Sequence, residues 1–87
     1  IMKKTIIIPC YNEKKTINQI IELVRQNISE NDNIIIVDDA STDGTRDLLK
    51  KIDNKQISII FHEKNYGKGR AIKTALDGNL NDIIIIQ

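Results

Sequence analysis

Asp38 and Asp39 stand side by side, directly after the branched apolar run Ile34, Ile35, Ile36 and Val37 and directly before Ala40, Ser41, Thr42, Asp43 and Gly44. Successive side chains of a strand point to opposite sides, so at a strand end one carboxylate can face a crevice while the other turns back to the loop and its N–H groups. A carboxylate facing a crevice can accept hydrogen bonds from a nucleobase imino or amino group or from ribose hydroxyls, and it can hold a cation. The plainer reading stays open at this point: one aspartate caps the next helix and the other is solvated. Two more polar clusters follow apolar runs in the same manner. Pro9, Cys10, Tyr11, Asn12 and Glu13 come after residues 5–8, and the segment from His62 to Arg70, with Gly67, Lys68 and Gly69 inside it, comes after residues 57–61. A Gly-Lys-Gly turn serves as a tight strand-to-helix connection, and it also brings N–H groups and an ammonium beside a bound anion or base. Tyr11 is either edge packing or a lid on a base. Asn12 and Glu13 suit the N-cap and first-turn acid of a helix, and capping leaves lone pairs free for a ligand.

Other chemistries fail on particular residues. Asp39, Ser41, Asp43 and Gly44 imitate the start of an EF-hand loop, but its twelfth position is Lys50 where a bidentate Glu is required. A phosphoacceptor receiver domain needs a further Asp after a later strand, and the run 83–86 ends in Gln87. Neither G-x-x-x-x-G-K-[ST] nor a G-x-G-x-x-G after the first apolar run is present, which argues against a Walker ATPase or a nicotinamide enzyme. His62 is the one histidine and Cys10 the one cysteine, so neither a structural zinc site nor an internal disulfide can form. Cys10 reads as a small core or site-lining residue.

The elements that must position these clusters are visible in the periodicity. Isoleucine-rich runs occupy 5–8, 34–37, 57–61 and 83–86, continuous rather than alternating, as in strands covered on both faces. Between them Ile17, Ile20, Ile21, Val24 and Ile28 form one helical stripe, Leu48, Leu49 and Ile52 a second, and Ala71, Ile72, Ala75 and Leu76 a third. Ser41 to Gly44 supply turn and N-cap residues for the second helix, and Gly78 is placed to end the third. The order is βαβαβαβ, a Rossmann-like parallel sheet with helices on both faces, and all three polar clusters fall at its carboxyl edge, where such folds bind ligands.

A chain of 87 residues is at most one small domain. The last strand stops at Gln87 with nothing to cover it, so the chain is expected to be an incomplete domain, the N-terminal portion of a longer protein. Thirteen Lys and Arg against twelve Asp and Glu give a net charge of +1, and with three aromatics and no Trp the chain offers neither a basic field nor a stacking platform for nucleic acid. No apolar run approaches the roughly 20 residues that span a bilayer, and the start, IMKKTIII, is too short in its apolar part for a signal peptide.

Taken in series, Ile6 to Glu13, Ile35 to Thr45 and Asn65 to Ala71 resemble the family-2 glycosyltransferases of the GT-A fold, over essentially the whole chain and in order. The resemblance implies the nucleotide-binding part of an inverting, metal-dependent enzyme that takes sugar from a UDP- or GDP-sugar. It implies that Pro9, Tyr11 and Glu13 line the base and ribose pocket, that Asp39 reads the base edge while Asp38 supports its loop, and that Gly67 and Lys68 lie near the base or diphosphate. In this family the strand matching residues 81–87 leads into Asp-x-Asp, which ligates Mg2+ or Mn2+; here that motif is expected just after Gln87, with the acceptor-side base further on. The chain as given is therefore expected to transfer no sugar by itself. The last third is most similar to the polyprenyl-phosphate, dolichyl-phosphate mannose synthase-like branch. That implies a lipid-phosphate acceptor in place of a glycan, GDP-mannose or UDP-glucose as donor, and a parent protein in the cytoplasm or peripherally bound at the cytoplasmic face of a membrane. The alternative from another class is a non-catalytic α/β nucleotide-binding or regulatory module.

Overall fold

The computed structural model describes residues 3–77 and 81–86. Strands β1 (Lys4–Cys10), β2 (Asn33–Asp38), β3 (Ile57–Phe61) and β4 (Asp82–Ile85) alternate with helices α1 (Ile17–Arg25), α2 (Thr45–Lys50) and α3 (Lys68–Leu76). All strand pairs are parallel, in the order β3-β2-β1-β4. The expected βαβαβαβ sheet is thus observed. Gly78, expected to end α3, lies outside the described residues.

The chain steps outward from β1 to β2 to β3 and then crosses back to lay β4 on the other side of β1. A crossover of constant hand covers one face when the strand order runs one way and the opposite face when it reverses. Accordingly α1 and α2 pack on one face, where Ile17, Ile21, Val24 and Leu49 meet Ile6, Ile8, Cys10, Ile34 and Ile36. On the other face Ala71 and Ala75 of α3 meet Ile7 and Val37. Both parities of β1 are buried, which is why its sequence is apolar without alternation. Each fully buried Ile or Leu contributes roughly 1.5–3 kcal/mol of transfer free energy.

The amino edge is fastened by one residue that the sequence pattern did not mark. Asp32, 2% exposed, accepts the Lys4 N–H on Oδ1 at 2.9 Å and the Ser29 N–H on Oδ2 at 3.0 Å. These N–H groups, Ser29 first and Lys4 next, hold its carboxyl below the ordinary value in spite of burial.

Candidate functional site

The loops after β1 and β2 are laced together through side chains. The Asn12 N–H donates to Ser41 Oγ at 2.8 Å, and the Thr42 N–H returns to Asn12 Oδ1 at 2.7 Å. The Glu13 N–H donates to Thr45 Oγ1 at 3.1 Å and the Lys14 N–H to Asp43 Oδ2 at 3.1 Å. These bonds correct one expectation. α1 does not begin at Asn12 and Glu13: Asn12 has φ 51°, and the helix starts at Ile17 after Thr16, with no acid in its first turn. The backbone N–H groups of residues 12–14 are committed to the neighbouring loop, so the chain turns there before it coils. The N-cap expected of α2 between Ser41 and Gly44 falls on Gly44, with φ 101°, and Asp43 Oδ1 accepts the N–H of Thr45, the first residue of the helix, at 3.0 Å.

The adjacent aspartates go to opposite faces of the sheet. Asp38 has the parity of Ile34 and Ile36 and no exposed surface. Its Oδ2 accepts the Ser41 N–H at 3.1 Å and lies 3.5 Å from Arg46 Nη1, and its Oδ1 accepts the Ser41 hydroxyl. Arg46 also donates to the His62 carbonyl at 2.9 Å and stacks over Phe61, 4.8 Å from the ring centroid. Asp38 therefore sits beneath the loop as its support. Ala40, between the pair and Ser41, is held at φ 66°, the left-handed turn that brings Ser41 back to Asp38.

Asp39 has the parity of Val37 and belongs to the α3 side. Its Oδ1 accepts the Tyr66 N–H at 2.9 Å and meets His62 Nδ1 at 2.9 Å, and its Oδ2 accepts the Gly67 N–H at 2.8 Å. Burial alone raises its pKa, but the bonds from His62, Tyr66 and Gly67 outweigh it and hold the carboxyl below its ordinary value. Gly67 adopts φ 94°, a conformation favouring glycine, in the residue just before α3.

Pro9, Cys10, Tyr11, Glu13, Asp39, Lys68 and Ala71 line one cleft of about 190 Å³ on this side of the sheet edge. Of the seven residues expected in the site, Pro9, Tyr11, Glu13, Asp39 and Lys68 come together there; Asp38 lies beneath it and Gly67 behind Asp39. Tyr11 is 45% exposed, leaving a ring face available to a planar ligand, and the Lys68 ammonium stands on the first residue of α3, at the positive end of its dipole. Cys10 is 2% exposed, and burial, then the charge of Asp38 and of Glu13, pushes its thiol up to about 12, so it lines the cleft as a neutral group. Larger hollows between α1 and the β4 edge, of about 350 and 380 Å³, have mainly apolar walls.

One residue escaped the sequence reading. His62 heads the third polar cluster and is discounted as a zinc ligand in the sequence, which gives it no role of its own, yet it holds Asp39. The register pairs Asp38 with Phe61, so the next residue on each strand, Asp39 and His62, must also be neighbours. Among the described residues no group of three or more His, Cys, Asp or Glu is placed to hold a metal ion, and no helix is long and apolar enough to cross a membrane.

Comparison with known proteins bears on this geometry. The family model "Glycosyl transferase family 2" matches residues 5–87. The UDP-N-acetylglucosamine–dolichyl-phosphate N-acetylglucosaminyltransferase of Methanococcus voltae is 35% identical over 85 residues, covering 82% of this chain and 33% of that protein. The crystal structure of S. aureus TarS 1-349 in complex with UDP superposes with a TM-score of 0.80 at 28% identity, covering 98% of this chain and 27% of that one. Mannosyltransferase PcManGT from Pyrobaculum calidifontis, in complex with GDP-Man and Mn2+, gives a TM-score of 0.73 at 25% identity, covering 88% and 24%. The chain spans about a third or less of the length of the curated relatives it matches.

Proposed function

The chain belongs to glycosyl transferase family 2, and from that premise we propose that it forms the nucleotide-binding part of an enzyme that moves a sugar from a UDP- or GDP-sugar to an acceptor. The observation that carries this reading is the convergence of the loops after β1, β2 and β3 on one cleft with Asp39 in its wall. Tyr11 and Pro9 give the base an apolar surface, Asp39 accepts an N–H of its edge, Glu13 accepts from ribose hydroxyls, and Lys68 with the N-terminus of α3 faces the diphosphate. A bound nucleotide in one structural neighbour, UDP, and a nucleotide sugar in the other, GDP-Man, support the ligand class.

The reaction in this reading is a single displacement with inversion. An acceptor oxygen forms the new bond at the anomeric carbon as the bond to the nucleoside diphosphate breaks and its electrons leave with the diphosphate. A divalent metal, as in the Mn2+ complex of the mannosyltransferase, would balance that charge. Among the described residues no group of three or more His, Cys, Asp or Glu stands together to hold it; the reading puts its ligands after Gln87. A hydroxyl acceptor needs a carboxylate base, whereas a lipid phosphate is already ionised. The dolichyl-phosphate named for the Methanococcus relative favours the lipid phosphate, with the work done at the cytoplasmic face of a membrane. Calorimetry of the intact protein with UDP and GDP, with and without Mn2+, tests the assignment: one of them binds with micromolar affinity, and binding of neither sinks it. Recovery of the protein wholly in the soluble fraction after cell lysis, with no transfer to a polyprenyl phosphate, would remove the lipid acceptor alone.

A further inference from the structure

We propose that His62 is a positioning residue for base recognition: by occupying Asp39 Oδ1 it leaves Oδ2 as the oxygen that reads the ligand, and so selects bases that offer an imino N–H. The inference rests on the nucleotide reading of the cleft and deepens it.

A carboxylate has two oxygens and about four acceptor positions. Among the described residues Asp39 meets three donors, Tyr66 N–H and His62 Nδ1 on Oδ1 and Gly67 N–H on Oδ2. Oδ1 is filled, and one position remains, on Oδ2. Asp39 is 4% exposed and is one of the residues that line the cleft. A single anionic acceptor there matches a single N–H at a base edge. Uracil and guanine carry such a ring N–H, whereas cytosine and adenine present a ring nitrogen lone pair at the corresponding edge and would be repelled.

His62 is built to hold that arrangement. Its side chain is 9% exposed and bonded at both ring nitrogens, with Nδ1 on Asp39 and Nε2 on Thr74 Oγ1 at 2.9 Å. Thr74 Oγ1 lies 3.0 Å from the Arg70 carbonyl, so its hydroxyl can turn to the ring or to the backbone while the ring stays fixed. The backbone is pinned as well, its N–H donating to the Asp38 carbonyl at 2.8 Å and its carbonyl accepting from Arg46. The Tyr66 ring meets the imidazole edge-on, with ring centroids 5.3 Å apart. Without the imidazole, Oδ1 regains a free position and the carboxylate can turn, so the acceptor facing the cleft is no longer unique.

The test is calorimetry on the intact protein with UDP, GDP, CDP, ADP and, as a probe without a base, inorganic pyrophosphate with Mn2+. His62→Ala is expected to weaken UDP or GDP about tenfold, because a carboxylate free to turn must be ordered when the base binds, to narrow the preference over CDP and ADP, and to leave pyrophosphate unchanged. His62→Asn, whose Nδ2 can stand where Nδ1 stands, restores affinity to within about threefold of the parent. Thr74→Val, which keeps the Nδ1 bond, weakens it by less than His62→Ala. Combined with Asp39→Asn, His62→Ala adds nothing further. Nucleotide binding unchanged in His62→Ala, an equal loss for pyrophosphate, or failure of a folded His62→Asn to restore affinity would each overturn the role of His62 while leaving the nucleotide reading standing. A parent protein that binds neither UDP nor GDP overturns both.

Discussion

The two faces of the sheet are built from different side chains, and the aspartate pair straddles them. Under α1 and α2 the contact is made by Ile, Leu and Val, filling a continuous core. Under α3 it is made by Ala71 and Ala75, whose small size lets the helix axis approach the strands. The first face supplies most of the buried apolar surface. The second supplies proximity, bringing the start of α3 and the loop before it to the end of β2. Asp38 faces the first side and is spent on Ser41 and Arg46; Asp39 faces the second and is spent on the loop that forms the cleft.

The comparison can be broken most forcefully in the first face. Leu49→Ala should cost about 3 kcal/mol of stability, from lost burial and the cavity left behind, against about 1 kcal/mol for Ala75→Gly in the second, a helix-propensity effect. Urea unfolding of both variants measures this; equal losses would mean that the faces share the load. Next is Asp38→Ala, expected to cost about 2 kcal/mol because it strands the Ser41 donors and Arg46. Asp39→Asn is expected to reverse the pattern, with nucleotide affinity falling about tenfold, worth about 1.4 kcal/mol, and the larger part of the stability kept. A stability loss matching that of Asp38→Ala would make the two aspartates equivalent.

Acid sharpens the same distinction. Because the folded Asp39 carboxyl lies below its ordinary value, its contribution to stability is fully present above the unfolded value of about 3.9 and is lost as pH falls through the lower folded one. Asp39→Asn should therefore flatten the decline of stability below about pH 4, and unfolding midpoints across that range show whether it does. The smallest effect is Ala40→Gly. Relief of the left-handed backbone, offset by the greater freedom of glycine in the unfolded chain, should raise stability by about 0.5 kcal/mol, read as a small rise in melting temperature.

The sequence declared what depends on local pattern. Ile-rich runs mark the four strands, the stripe from Ile17 to Ile28 marks α1, which ends short of Ile28 at Arg25, and the alternation of strands and helices places Tyr11, Asp39 and Lys68 at one edge. It concealed what depends on register. His62 and Asp39 are 23 positions apart, and a strand buried on both faces carries no alternation to say which residue of its neighbour it meets. The start of α1 was misplaced for a related reason. Asn12 and Glu13 are good capping residues by type, and nothing in their own neighbourhood tells that they bond to Ser41, Thr42 and Thr45 across 29 or more positions.

That lacing has a thermodynamic consequence. Fixing a residue's backbone costs roughly 1–2 kcal/mol of conformational entropy, and for residues 12–14 and 41–45 that ordering is completed when the chain folds. A ligand that settled against Glu13 would meet backbone already immobilised. Less of its contact energy would be consumed in arranging its host.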